Sequence, residues 1–136
     1  MDLLRSIALA TAGLKAQAGR MRIASENIAN SDSTATKPGG DPYRRKVPVF
    51  RVSNSMNGTE NVVMFAGTRL DKTTFPTRID PGHPAADLSG SVKLPNVDPV
   101  IEQADLRDAQ RSYEANLNVI SVTRRIMSRT IDILRG

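Results

Sequence analysis

At 136 residues the chain is one domain's worth of protein, and an apolar fraction of 39% with 4% aromatic residues and no tryptophan leaves little material for a large self-sufficient core. Cysteine is absent, which excludes a disulfide framework, a thiolate nucleophile and a cysteine-based zinc site. The net charge of +5 is spread almost evenly over residues 1–30, 31–98 and 99–136, so no segment concentrates the basic charge that tracking a phosphate backbone requires.

The first predicted element is a helix over Leu3–Ala29. Asp2 stands where an N-cap belongs, and Ile7, Leu14, Met21 and Ile28 recur every seven residues, the spacing of a helix that lays one face on a partner. Small residues, Ala10, Thr11, Ala18 and Ala24, run beside that column and allow a neighbouring helix to approach closely. Gly13 and Gly19 weaken the helix by about 1 kcal/mol each relative to alanine, so its stability has to come from packing. The first residues lack a basic region followed by an apolar core, and no cleavable secretion signal is expected. No window approaches the run of about 18 apolar residues that a membrane-spanning helix needs, so the chain is not expected to insert in a membrane.

Asn30 to Gly40 consists largely of Asn, Ser, Asp, Thr, Pro and Gly, and reads as a loop. Val47 to Val52 is a short β-prone run, confined to an edge by Pro48, and Asn61 to Ala66 is a second. The turn signal Asn57-Gly58 between them predicts a hairpin. Thr68 to Ile79 has room for one more short strand, while prolines at 81, 84 and 95 predict extended, irregular chain from Asp80 to Asp98. The single histidine, His83, lies between Asp80 and Asp87. One histidine and two carboxylates on a proline-rich loop make a poor metal set, and the expected role of its imidazole is to bond the local backbone in a turn. No nucleophile elbow or phosphate loop is present, so no catalytic residue, cofactor or metal is expected. Arg44-Arg45-Lys46 beside Tyr43 is the only short basic cluster. It offers a nucleic-acid contact, or a charged patch that meets acidic groups of a neighbouring subunit.

After Asp98 and Pro99, an N-cap and a first-turn proline, the chain reaches Arg135 without another Pro or Gly, enough for one helix of roughly 55 Å. Leu106, Tyr113, Ile120, Met127 and Leu134 again recur every seven, with Leu117 and Ile131 four residues after two of them. The fold class expected is therefore mainly α. Long terminal helices pack as a coiled-coil-like pair, residues 1–30 and 99–136 forming a helical assembly domain and residues 31–98 an extended, β-rich middle segment. A two-helix hairpin buries too little alone, which favours assembly with other chains. The candidate interface is Ile7, Leu14, Met21, Ile28 and Asn30 from the first helix, and Leu106, Tyr113, Asn116, Leu117, Ile120, Met127, Ile131 and Leu134 from the second. Asn116, beside Tyr113 and Leu117, is the candidate for fixing helix register.

Ser25-Glu26-Asn27-Ile28-Ala29-Asn30 followed by Thr34 resembles the signature that closes the N-terminal helix in the bacterial flagellar rod and hook axial family. Gly40 to Lys46, Asp80 to Pro84, Pro95-Asn96-Val97 and Ala109 to Asn116 extend that resemblance over essentially the whole chain and are similar to the proximal-rod members. Ser91 and Gln103-Ala104 depart from the pattern. The resemblance implies a structural subunit of the rod rather than an enzyme, joined to other rod proteins and copies of itself in the shaft that crosses the periplasm and carries torque from motor to hook. It also implies export in an unfolded state through the flagellar type III apparatus, with the terminal helices forming the inner layer of the rod. A distal rod or hook-junction subunit is the alternative within the family, against which the short middle segment argues. A basic nucleic-acid-binding module is the alternative outside it.

Overall fold

A computed structural model describes residues 2–54 and 61–136. The chain runs α1 (Leu3–Ala29), β1 (Lys46–Asn54), β2 (Asn61–Leu70), β3 (Thr77–Ile79), β4 (Ser91–Lys93) and α2 (Pro99–Arg135), so the protein is mainly α with a β middle segment. Both helices begin where the capping chemistry placed them. The Asp2 carboxylate accepts from the backbone N–H of Leu4 at 3.1 Å, and that of Asp98 accepts from Val100 at 2.9 Å, ahead of Pro99 in the first turn. Asn30 ends α1, its amide donating to the Glu26 carbonyl at 2.9 Å and its side-chain oxygen accepting from Ser33.

β1 and β2 form an antiparallel ribbon with an irregularity at Val49/Phe50. It is two-stranded, so every strand is an edge and Pro48, opposite Thr68, disturbs no third strand. The ribbon is longer than the two expected runs, and β2 reaches Leu70. The predicted Asn57-Gly58 turn lies outside the described residues. β3 and β4 form a second small antiparallel pair, which gives Ser91–Lys93 a regular place in a stretch expected to be irregular. The loop that joins them is closed by its own polar groups. The Asp87 carboxylate accepts from Ser89 Oγ at 2.6 Å and from the backbone of Ser89 and Ser91, contacts that hold it below the ordinary carboxylate range. His83 Nδ1 accepts from the backbone N–H of Ala85 at 3.0 Å, the local turn role expected for it.

α1 is the middle layer. It packs on α2 along one side and on the β1/β2 ribbon along another. Its buried residues serve both contacts: Ala10, Ala24 and Asn27 lie along the α2 side, with Ala16 and Ile23 toward the ribbon. Small side chains allow this double contact. At Gly19 an added Cβ would sit 2.6 Å from the Phe65 ring, so only glycine lets β2 lie this close. Among the described residues the rest of the buried apolar set is Ala85, Val92 and Ala109, and a core of mostly alanines is thin for a chain of this size.

Candidate assembly interface

The two helices run antiparallel, and three contacts fix their register. Gly13 faces Asn116, whose side-chain atoms lie 2.8 Å from the position of an added Cβ; Arg20 bridges Asp105 at 2.9 Å; and Asn27 Nδ2 donates to Glu102 at 2.9 Å. The register at Asn116 is steric. Its amide bonds the Ser112 carbonyl of its own helix at 2.9 Å, not α1, and it fits across the seam because residue 13 has no side chain.

At 3.6 residues per turn, Gly13 and Arg20 fall on one shoulder of the α1 row Ala10, Gln17 and Ala24, whereas Ile7, Leu14 and Met21 fall on the other. On α2, Asp105 falls on one shoulder of the row Glu102, Ala109 and Asn116, and Leu106, Tyr113 and Leu117 fall on the other. Because the polar shoulders meet, the apolar ones lie together along the other side of the pair. The helix pair thus has a polar edge, toward the start of β1, and an apolar edge.

The sequence-predicted residues sort onto this geometry. Ile7, Leu14, Met21, Ile28, Leu106, Tyr113, Ile120 and Met127 are all half-buried, lining the seam or its apolar edge. Leu117 is 45% exposed beside them. Ile131 and Leu134 share the seam face of α2 but are 50% and 81% exposed, because with Gly13 opposite Asn116 the start of α1 falls level with Ile126 and the last turns of α2 run past it. Asn30 is the terminator of α1. The deepest α2 positions, Glu102, Ala109 and Thr123, belong to a different heptad column, whose remaining place is the half-buried Asn116 and which hydropathy does not mark.

At the polar edge lies a hub that joins the helices to the β segment. Asn27 is fully buried with both donors and both acceptor sites used: its amide donates to the Lys46 carbonyl at 2.8 Å and to Glu102, and its oxygen accepts from Tyr43 Oη at 2.9 Å and Lys46 N–H at 3.0 Å. Glu102, 2% exposed, also accepts from Arg45 Nε at 2.6 Å. Arg45 reaches Asp71 as well. Burial works against the guanidinium's charge, yet Glu102 and Asp71 outweigh it and hold its pKa above the ordinary value. Asn96 accepts from the Arg45 backbone and donates to Thr73, locking the approach to α2.

The hub also consumes the basic cluster. Lys46 pairs with Glu26, Arg45 with Glu102, and Arg44 donates to the carbonyls of Asp71 and Thr73 while lying 4.1 Å from the Phe75 ring centre. Arg44-Arg45-Lys46 is an internal clamp rather than an open patch, which removes the carrier of the nucleic-acid reading. Among the described residues no group of His, Cys, Asp and Glu could hold a metal ion, and no helix is long and apolar enough to cross a membrane.

The Tyr43 hydroxyl is pushed up to about 12, by burial first and then by the Glu26 and Glu102 carboxylates. An unfolded tyrosine titrates near pH 10, so the folded state holds this proton more tightly; the stability it adds is complete below pH 10 and lost as pH rises toward 12. Unfolding midpoints measured from pH 9 to 12 should fall less steeply in Tyr43→Phe than in the parent chain, and equal slopes would remove Tyr43 from the account.

Residues 88–133 match the family described as flagellar basal body rod FlgEFG protein, C-terminal. Among curated relatives, the chain is 48% identical over 129 residues to the flagellar basal-body rod protein FlgC of Agrobacterium fabrum, covering 94% of this chain and 92% of that one. It is 37% identical over 133 residues to FlgC of Salmonella typhimurium, covering 98% of each, and 36% identical over 132 residues to FlgC of Aquifex aeolicus, covering 97% of each.

Proposed function

This chain belongs to the FlgC family of flagellar basal-body rod proteins and is a structural subunit of that rod; on that premise we propose that it is built in through the apolar edge of its helix pair and the free end of α2. The observation that carries this reading is the uncovered apolar surface of a helix pair with a thin core. Leu117, Val119, Val122, Ile126, Ile131, Ile133 and Leu134 are all exposed, and a helix that is apolar on more than one face is stable when more than one neighbour covers it. Neighbouring helices, from copies of this chain and from other rod proteins, complete the seam as a coiled coil, with the overhanging turns of α2 reaching the next subunit. Placement in the proximal rod, torque transmission from motor to hook, and delivery through the flagellar export apparatus belong to the same reading. A seam of small and polar side chains is weak in one chain and strong when repeated, which suits a subunit that travels unfolded and sets in place.

Leu14→Asp and Leu117→Asp test it. Each places a carboxylate on the apolar edge, and the exposure of Leu117 keeps the second change compatible with the fold. Purified basal bodies should lose the subunit by tenfold or more, and swimming in soft agar should stop. Normal incorporation of both variants would overturn the proposal.

A further inference from the structure

On the side of α1 turned away from α2, bordering that edge, lies a groove of about 560 Å³ between the helix and β2. Ala8, Thr11 and Ala12 make one wall and Val62, Met64 and Phe65 the other. The α1 wall carries small side chains at helical spacing, which lets another helix approach its backbone closely. The β2 wall is apolar and Met64 is half exposed, so this wall lacks a complete cover among the described residues.

The rim of this groove is cationic. Lys15 lines it, Arg22 lies 5.7 Å from the centre of the Phe65 ring, and Arg51 stands opposite Met64 in the strand register. None of these three makes an ion pair among the described residues, whereas Arg20, Arg45, Lys46, Arg78 and Lys93 all do. An apolar bed ringed by unpaired cations matches an occupant with an apolar stripe between carboxylates. The chain's own uncovered stripe, Val119, Val122 and Ile126, does not match, since Arg125 and Arg129 run beside it and would bring like charge to the rim.

We propose that this groove is a docking site for an amphipathic helix of a different, acidic chain, engaged through two turns alongside Ala8 to Lys15. This goes beyond the rod-subunit reading, because it uses the α1 face between the apolar edge and β2 and selects a partner other than a second copy.

The probes are two synthetic helical peptides with one identical Leu/Ile face, flanked by glutamates in one and by lysines in the other. They are titrated into the full-length chain by fluorescence anisotropy and by NMR. The glutamate peptide should bind at least tenfold more tightly than the lysine peptide and shift the amides of Ala8, Thr11, Ala12, Val62 and Phe65. The exposed double change Lys15→Glu/Arg51→Glu should invert that preference, and Ala12→Trp should weaken both peptides with little change in unfolding midpoint. Equal binding, no binding, or shifts confined to α2 overturn the proposal. So does a self-association, seen by sedimentation, that Ala12→Trp abolishes, since the occupant would then be a second copy. None of these outcomes bears on the Leu14 and Leu117 variants, so the two readings stand or fall separately.

Discussion

Asn27→Asp is expected to destabilise the protein by roughly 3–5 kcal/mol, although it exchanges one nitrogen for one oxygen. The fully buried amide donates to the Lys46 carbonyl and to the Glu102 carboxylate, and aspartate supplies neither proton. Two acceptors lose a donor, and a second carboxylate lies against one that is itself 2% exposed. The sign of the pH dependence follows. The like charge raises the new carboxyl's pKa in the fold, so the deficit is largest at neutral pH and shrinks on acidification, as protonation removes the charge and restores one donor. Urea unfolding at pH 7 and pH 4.5 gives both numbers. A loss under about 1 kcal/mol at pH 7, or a deficit that grows in acid, would mean that the hub is looser than its distances imply.

Arg45→Met should cost about as much, for a different reason. It leaves Glu102 almost fully buried and without its 2.6 Å cationic partner, a change worth roughly 3–5 kcal/mol. Adding Glu102→Leu removes the stranded charge, and Asn27 keeps its bond to the Lys46 carbonyl. The double variant is therefore expected to regain most of the lost stability, because a buried pair exchanged for apolar side chains of similar volume is often neutral. Unfolding free energies of both singles and the double close the cycle. If the losses simply add, the pair does not act as a unit.

Both long helices were legible because their ends carry strong local signals. Asp2, Asp98 and Pro99 start them and Asn30 stops the first, all within one turn of the element concerned. The heptad columns mark an apolar side on each helix, but the hydropathy of Leu117, Ile131 and Leu134 could not say which of them α1 would reach. That depends on the lengths and offset of two helices that are remote in sequence. The hub was hidden for a related reason. Asn27 and Glu102 are 75 positions apart and Arg45 and Glu102 are 57 apart, so Glu102 reads locally as a charge suited to a helix start and Arg45 as part of a basic run. The motif that closes α1 held the clue without its mechanism: Asn27 is the side chain that grips both the β segment and α2. Sequence patterns report what a residue does to its own element, and long-range polar contacts leave no period.

The mismatch between 27 residues in α1 and 37 in α2 makes the subunit a vector. One end closes on a locked polar clamp, and the other leaves a bare apolar prong about 12–15 Å long. Turning such a chain end for end does not superimpose it on itself, so any stack built from it has two chemically distinct tips. One tip always displays prongs and the other always displays clamps. Growth rules can differ between them, and the polarity of any such stack is already present in each single unit.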